Sequence, residues 1–272
     1  MRTPRLAVCS WSLQPRSLDE LVERVLATGL EHVQLALDPV RLGVMGLGPL
    51  RQRFEEAGLR VISGMMAMEG EDYATLDSIR RTGGLVPDAT WPSNLAAAAE
   101  LARIAQELEL RLVTFHAGFI PETGTDPGRA IALERIRALC DVFASRGVRV
   151  ALETGQESAD TLARVLLELD GVGVNFDPAN MILYGSGDPI AALGRLLRRV
   201  EQVHIKDAVP AARPGEWGTE VPVGTGAVDW TAFTGALRER PVDRVIEREA
   251  GTDRVTDVRT AVAAIRSLEV AG

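Results

Sequence analysis

The chain alternates short apolar segments with amphipathic helical segments eight times, and no other feature limits its folds as strongly. The strand-like segments are 6–10, 32–37, 60–66, 111–115, 148–153, 172–177, 202–206 and 244–247. The helical connections between them have the length that parallel strands require. An open sheet that binds a dinucleotide would show Gly-x-Gly-x-x-Gly after its first strand, but Ser10-Trp11-Ser12-Leu13-Gln14 follows here. The pattern predicts an α/β fold, a single (β/α)8 TIM barrel, with one domain over residues 1–272.

The composition argues against two classes of partner. The formal net charge is −8, whereas a nucleic-acid surface needs a basic stripe. No apolar run approaches the roughly 20 residues of a membrane span. Residues 1–14 lack the apolar region and cleavage site of a signal peptide, and the distant residues Cys9 and Cys140 have no metal-binding spacing. We therefore expect a cytoplasmic protein without nucleic-acid or membrane partners.

Four consecutive predicted strands carry metal-ligand side chains at their ends. Glu153, Asp177 and Glu247 close three of them, and His204 lies near the end of the fourth. The carboxyl ends of barrel strands converge on one mouth, so we expect these residues to be neighbours. A single carboxylate at a strand end is more often a helix cap or part of an ion pair, and a single histidine is more often a hydrogen-bonded core residue. Four such residues at the same end of consecutive barrel strands indicate one shared site. Their donors suit one divalent cation, with Mn²⁺ as our first choice and Mg²⁺, Co²⁺ or Zn²⁺ as alternatives.

Three further polar residues near these strand ends have two interpretations each. His116 closes the fourth strand and is either a catalytic residue or a structural one. Lys206 shares the face of His204 by alternation, where it would stabilise negative charge in catalysis or pair with a carboxylate. Asn180 would either bind substrate hydroxyls or cap the turn after Asp177.

Two other segments receive structural interpretations. Glu249 shares the face of Glu247 but lies farther out, where it would pair with an arginine. Gly224-Thr225-Gly226 resembles a phosphate-binding loop only superficially. A turn followed by a helix with Asp229 as its N-cap explains this segment better.

The connection 69–93 is longer than the usual two to six residues of such loops. It is predicted to contain a short helix over 73–81, to fold over the barrel mouth and to help exclude water. Tyr73 and Trp91 are its aromatic candidates for the substrate wall, although either would also serve to pin the loop to the barrel. Trp11, after the first strand, is a further candidate for substrate binding.

The chain resembles the sugar phosphate isomerase/epimerase family of xylose isomerase-like barrels. The segments that carry the resemblance are Leu152-Glu153, Phe176-Asp177-Pro178-Ala179-Asn180, Val203-His204-Ile205-Lys206-Asp207, Val221-Pro222-Val223-Gly224-Thr225-Gly226 and Val245-Ile246-Glu247. The resemblance implies that Glu153, Asp177, His204 and Glu247 bind one divalent cation and that the two glutamates also handle protons. Some epimerases of the family carry histidine where Asn180 stands, so C3-epimerisation is not implied. The three-zinc endonuclease IV branch needs more histidines than the three present here.

The resemblance and the residues together predict a metal-dependent isomerase or epimerase of a ketose or related keto-polyol. The reaction would pass through an enediolate, with one glutamate removing a proton and the other returning it. An inosose-type dehydratase is the alternative, since the same groups can expel a β-hydroxyl. A third interpretation of the chain is a barrel that binds a sugar without catalysing a reaction. The sequence leaves open whether the chain forms homo-oligomers.

Overall fold

Eight parallel strands close into a barrel, as the sequence predicts. The structure is a computed structural model that describes residues 3–213 and 215–270, so both ends of the predicted 1–272 domain and residue 214 lie outside the described residues. The barrel strands are β1 (Leu6–Cys9), β2 (His32–Ala36), β3 (Arg60–Met65), β4 (Leu112–Phe115), β5 (Arg149–Glu153), β6 (Gly173–Phe176), β7 (Val200–Ile205) and β10 (Asp243–Ile246). They adjoin in the order β1 to β7 and then β10, which returns to β1.

The helices follow the predicted alternation. They are α1 (Leu18–Thr28), α2 (Asp38–Arg41), α3 (Leu47–Glu56), α4 (Leu76–Thr82), α5 (Trp91–Glu107), α6 (Pro127–Ala144), α7 (Ala159–Leu167), α8 (Pro178–Tyr184), α9 (Pro189–Leu196), α10 (Trp230–Ala236) and α11 (Arg254–Val270), with 3₁₀ turns at Ser10–Leu13, Leu197–Arg199 and Leu237–Glu239. None of these helices is long and apolar enough, over the described residues, to cross a membrane.

Two of the elements that were not predicted lie at the barrel mouth. Helix α8 follows β6 directly, with Asp177 as its N-cap and Pro178 in its first turn. A short antiparallel hairpin, β8 (Asp207–Val209) and β9 (Thr219–Val221), follows β7. Both elements are too short for hydrophobic periodicity to reveal them.

Helix α1 has a side-chain N-cap at its start and a glycine at its end. Ser17 accepts a hydrogen bond from the backbone N–H of Glu20 at 3.2 Å, so it is the N-cap. Glu20 does not complete a capping box with Ser17, because its carboxylate accepts from the backbone N–H and side chain of Arg16 instead. Gly29 ends the helix in the left-handed conformation at φ +76°.

The interior of the barrel is packed differently from the layer between strands and helices. The layer outside the strands is a large continuous apolar core, whereas the barrel interior holds a small separate apolar cluster of Ala7, Cys9, Ile62 and Val245. Above this cluster lie buried polar side chains, because strand alternation places residues two apart on the same inward face. Ala7 and Val245 pair in register, and Val245 pairs with His204, so the polar residues lie next to this apolar plug.

Candidate metal centre

The structure brings the four predicted metal ligands together at the carboxyl ends of the strands. Glu153 ends β5, Asp177 follows β6, His204 lies in β7 and Glu247 follows β10. All four are at most 2% exposed, and one donor atom from each lies within 4.8 Å of the others. The Nδ1 atom of His204 lies 3.3 Å from Glu153 Oε1, 3.5 Å from Asp177 Oδ2 and 3.1 Å from Glu247 Oε2.

The donor atoms fit a divalent cation. Two donors bound at about 2.2 Å to one ion lie at most about 4.4 Å apart, so small inward movements suffice. Asp177 Oδ2, His204 Nδ1 and Glu247 Oε1 are buried and have no hydrogen-bond partner among the described residues. Buried polar atoms are rarely left unpaired, and these three belong to three of the four clustered side chains, as expected of atoms that an ion would bind.

Asp177 has one carboxylate oxygen committed and one available. Its Oδ1 accepts from the backbone N–H of Asn180 at 2.9 Å and thereby caps α8. Its backbone N–H donates to Thr154 Oγ1 at 2.8 Å. These bonds fix the carboxylate so that Oδ2 points at His204. The unpredicted helix therefore orients a predicted ligand.

A layer of buried amides supports the ligands from below. Asn175 Nδ2 donates to Glu153 Oε2 at 3.1 Å, and Asn175 Oδ1 accepts from Gln202 Nε2 at 3.1 Å. Gln202 Oε1 in turn accepts from Ser63 Oγ at 2.6 Å. Sequence reasoning missed this layer, although alternation was a signal, since Asn175 and Gln202 lie two residues before Asp177 and His204.

Two amides contact His204 Nε2: Gln34 Oε1 at 2.9 Å and Asn175 Nδ2, which also donates to Glu153, at 3.0 Å. Gln34 is itself held by a hydrogen bond from its Nε2 to Thr114 Oγ1 at 3.0 Å. An amide oxygen only accepts, so it favours the imidazole with a proton on Nε2. The lone pair of the neutral ring is then on Nδ1, which is the atom among the carboxylates. Such outer partners typically orient metal-binding histidines.

The charges of the site favour the protonated form of His204 and the ionised form of Glu153. Burial alone disfavours a charged imidazole, but Glu247 and Glu153 outweigh it and raise the pKa of His204 well above its usual value. Burial likewise opposes ionisation of Glu153, yet His204 and His116 hold the pKa of that carboxyl well below its usual range. A positive charge is therefore strongly favoured at the centre of this carboxylate cluster, and a divalent cation would meet the same need.

Lys206 and Asn180 connect the two ends of the site. Lys206 is 1% exposed, and its ammonium donates to Glu247 Oε2 at 3.1 Å, to Asn180 Oδ1 at 3.2 Å and to Glu249. Asn180 Nδ2 donates to Glu153 Oε1 at 3.0 Å. Glu249 thus pairs with Lys206, so the predicted arginine partner was wrong. Burial opposes the charged ammonium, but the carboxylates raise the pKa of Lys206 well above its usual value.

His116 lies beside Glu153, on the edge of the predicted metal site. Its Nε2 is 3.4 Å from Glu153 Oε1, and its Nδ1 is buried without a partner among the described residues. Burial disfavours the imidazolium, but the Glu153 carboxylate outweighs it and raises the pKa of His116 to about 9. His116 is therefore positioned to exchange a proton with Glu153 or with a bound molecule.

A cavity of about 370 Å³ opens from this cluster, and we call it the mouth cavity. Its lining includes Glu153, Glu247, His116 and Asn180 at the inner end. The outer end has aromatic, methionine and acidic side chains, among them the predicted Trp11 and Tyr73 and the unpredicted Glu71, Tyr184 and Trp217.

Trp91 does not line the mouth cavity, so of its two interpretations the geometry favours the one in which it pins the loop. It begins α5, where the guanidinium of Arg135 lies 5.1 Å from its ring. The 69–93 connection nevertheless reaches the mouth through Glu71 and Tyr73, whose side chains are hydrogen-bonded at 3.0 Å. Glu71 also accepts from the backbone N–H of Gly84 at 2.9 Å, which fixes this segment over the mouth.

Asp207 holds together the loop that follows β7. Its carboxylate accepts from the backbone N–H groups of Ala208, Gly224, Gly226 and Val228 and from the indole N–H of Trp230, at 2.9–3.2 Å. A Cβ at Gly226 would lie 2.1 Å from the Asp207 carboxylate, which explains the second glycine of Gly224-Thr225-Gly226. Asp229 caps α10 as predicted, by accepting from Ala232 N–H at 2.9 Å. The segment therefore binds a carboxylate within the chain.

Comparisons with known proteins agree with this architecture. Residues 14–269 match the model of the xylose isomerase-like TIM barrel family. A xylose isomerase domain protein from Planctomyces limnophilus is 31% identical with a TM-score of 0.86, over 99% of this chain and 97% of that chain. An L-ribulose 3-epimerase is 16% identical with a TM-score of 0.75, over 98% and 95%.

The probable 3-DHS dehydratase AsbF of Bacillus anthracis is 16% identical with a TM-score of 0.73, over 96% of this chain and 98% of that chain. A search of curated proteins found no match. At these identities the epimerase and the dehydratase show a shared fold. The family match covers nearly the whole chain, and the protein therefore belongs to the xylose isomerase-like TIM barrel family.

Proposed function

We propose that this protein is a divalent-metal-dependent isomerase or epimerase that acts on a ketose or related keto-polyol. The observation that carries the proposal is the pair Glu153 and Glu247. Both line the mouth cavity, and both contact His204, from strands separated by two others in the barrel. A reaction that removes a proton on one side of a carbon and returns it on another needs two such groups.

Glu153, Asp177, His204 and Glu247 would hold the cation. The chemistry that a bound divalent ion supplies is polarisation of a carbonyl, which acidifies the neighbouring C–H bond. Glu153 and Glu247 would take and return the substrate proton through an enediolate. Lys206 orients Glu247 through their 3.1 Å hydrogen bond. His116, 3.4 Å from Glu153, would exchange protons with that carboxylate between turnovers.

His116 also supports a second candidate, a dehydratase of an inosose-type substrate. Loss of water needs an acid that protonates the departing hydroxyl. His116 lines the mouth cavity next to Glu153, and its pKa of about 9 keeps it charged at neutral pH. The two candidates differ in outcome, since an isomerase returns the proton to carbon and a dehydratase releases water.

Metal content tests the first part of the proposal. The purified protein is expected to hold about one divalent ion per chain, with Mn²⁺ as our first choice. The double variant with Asp177→Ala and His204→Ala should lose it while remaining folded by circular dichroism. Stoichiometric metal in that variant would refute the site.

Proton exchange tests the second part. Ketoses and inososes are incubated with the metal-loaded protein in D₂O, and deuterium uptake and water loss are followed by NMR. Glu153→Gln and Glu247→Gln should each lower turnover by about 10²–10⁴, because glutamine cannot accept a proton at neutral pH. Glu122→Gln, an exposed residue paired with Arg164, is the matched control and should keep full activity. Wild-type turnover in both site variants at saturating metal would remove them from the mechanism.

Three further features belong to the same proposal. We propose that the chain acts as one domain, resides in the cytoplasm and binds neither nucleic acid nor membrane. Both cysteines are free, which suits a reducing compartment. Cell fractionation tests the location, and light scattering tests whether the chain forms homo-oligomers.

A further inference from the structure

The outer wall of the mouth cavity contains a carboxylate that the proposed reaction does not use. Glu71 lines the cavity, as do Glu153, Glu247 and Glu249. Glu153 and Glu247 belong to the predicted metal site, and Glu249 pairs with the ammonium of Lys206. Glu71, by contrast, forms no ion pair with any of the described residues, and its hydrogen bonds come from neutral donors. Its negative charge is therefore left to face the cavity.

The Glu71 carboxylate is held in a fixed position. Its Oε2 accepts from the Tyr73 hydroxyl at 3.0 Å, and its Oε1 accepts from the backbone N–H of Gly84 at 2.9 Å. Gly84 packs tightly against the segment after β4, because Leu85 N–H donates to Ala117 O at 3.1 Å and a Cβ at Gly84 would lie 2.1 Å from that oxygen. Each carboxylate oxygen can accept a second hydrogen bond. Glu71 is thus a rigid acceptor with capacity to spare.

The surroundings of Glu71 leave its charge incompletely stabilised. Burial raises the pKa of this carboxyl, and the attraction of the nearby His116 only partly offsets the effect. His116 lines the same cavity, but its ion pair is with Glu153 and not with Glu71. A carboxylate removed from water without a cation costs stability unless other donors reach it. In a ligand cavity, such donors come from the ligand.

Glu71 approaches the cavity from the side opposite the predicted metal ligands. It follows β3, whereas the ligands come from β5, β6, β7 and β10, and β3 lies across the closed barrel from β7. The cavity of about 370 Å³ connects the two sides. A keto-sugar with its carbonyl end at the ligand cluster would therefore present its far hydroxyl groups to Glu71.

We propose that Glu71 is a specificity-determining residue that accepts hydrogen bonds from the hydroxyl groups at the substrate end farthest from the metal site. The inference rests on the proposed function, since that function places the carbonyl end at Glu153, Asp177, His204 and Glu247. Free hydroxyls satisfy Glu71, whereas a phosphate at that end carries the same sign of charge and is repelled. Glu71 takes no part in the proton transfer, so it changes binding and not the chemical step.

Calorimetric titration of the metal-loaded protein tests the proposal. The probes are three ketohexoses (D-fructose, D-tagatose and L-sorbose), D-fructose 6-phosphate and dihydroxyacetone, which has the carbonyl and its neighbouring hydroxyls but no far end. Glu71→Gln keeps the size of the side chain and an acceptor for Gly84 N–H, and it removes the charge. It should weaken the tightest ketohexose about tenfold and change dihydroxyacetone binding less than about twofold.

Two comparisons make the test specific for the charge of Glu71. In Glu71→Gln, the affinity for D-fructose 6-phosphate relative to D-fructose should rise about tenfold, because the repulsion is gone. Glu69→Gln makes the same replacement in the same connection, at an exposed residue outside the cavity lining, and should change none of these affinities. Wild-type protein alone should already bind D-fructose more tightly than its 6-phosphate.

Deuterium uptake by the tightest ketohexose distinguishes binding from chemistry. In Glu71→Gln, KM should rise about tenfold while kcat stays within about threefold of wild type. Unchanged ketohexose binding in this variant, equal weakening of dihydroxyacetone, or no ketohexose binding to the wild type would overturn the inference. If metal is bound and both proteins exchange protons with the same KM, the inference fails and the proposed function stands. If no metal is bound, the proposed function fails, and the same titrations of the metal-free protein decide the role of Glu71.

Discussion

Replacing Asp207 with asparagine should strongly destabilise the protein. Asp207 is 1% exposed and accepts five hydrogen bonds, two at Oδ1 and three at Oδ2. Asparagine has one accepting oxygen, and its NH₂ group must face the N–H donors on the other side. If the asparagine oxygen takes the place of Oδ2 and keeps those three bonds, the N–H groups of Ala208 and Val228 still lose their acceptor.

The magnitude follows from these five bonds. A hydrogen bond to a charged group contributes about 1.5–3 kcal/mol, and two are lost while three others lose their ionic partner. We expect Asp207→Asn to lower the free energy of unfolding by about 3–5 kcal/mol, which is a large part of the 5–15 kcal/mol typical of a domain. Urea denaturation followed by circular dichroism measures this difference.

Asp229→Asn is the matched control for this prediction. It is the same chemical change on the same loop, at an exposed N-cap where asparagine serves as well as aspartate. We expect Asp229→Asn to lower the free energy of unfolding by less than about 0.5 kcal/mol. A loss below about 1 kcal/mol in Asp207→Asn, with unchanged dependence of the unfolding free energy on urea, would refute the assignment of Asp207 as the centre of this loop.

Three other predictions concern buried groups. Gln34→Leu should lower metal affinity by about 10- to 100-fold, because His204 Nε2 loses its acceptor. Calorimetric titration with Mn²⁺ measures this affinity, and an unchanged affinity would contradict the prediction. Burial raises the pKa of Glu157 to about 8 against an unfolded value near 4.5, so its contribution to stability is complete below pH 4.5 and is lost as the pH rises through 8. Glu157→Gln should therefore gain up to ~4 kcal/mol over wild type between pH 5 and pH 8 in urea titrations, and parallel pH profiles would contradict it. Gly84→Ala should destabilise by more than about 2 kcal/mol, since φ is +71° and the new Cβ would lie 2.1 Å from Ala117 O, whereas Gly48→Ala in open space should not.

The sequence predicts the barrel and the four clustered side chains for one physical reason. Residues at the carboxyl ends of consecutive parallel strands must meet, so Glu153, Asp177, His204 and Glu247 could be grouped without knowing any loop. Lys206 could be placed with them, because alternation fixes which way a strand residue points.

Strand order and alternation did not predict the loops or the layer of buried amides beneath the metal ligands. Trp91 and Tyr73 belong to one connection, and nothing local determines that Tyr73 enters the mouth cavity while Trp91 packs on Arg135. Trp217 reaches the cavity through a hairpin whose strands are only three residues long, too short to leave a periodic pattern. Gln34 pairs with His204 across the barrel, 170 positions away along the chain.

Because of the hairpin β8–β9, the inner and outer ends of the mouth cavity are held in place by different parts of the chain. The predicted metal ligands are fixed by strand register and by the amides beneath them, whereas Trp217 is carried by a hairpin with its own anchors at Asp207, Gly218 and Glu220. Residues 210–213 and 215–216 of its tip are partly or fully exposed. Exchange of that tip between homologues would alter what the outer wall selects and leave the ligand cluster untouched. Selectivity in such a barrel can therefore diverge by loop replacement while the inner chemistry is inherited unchanged.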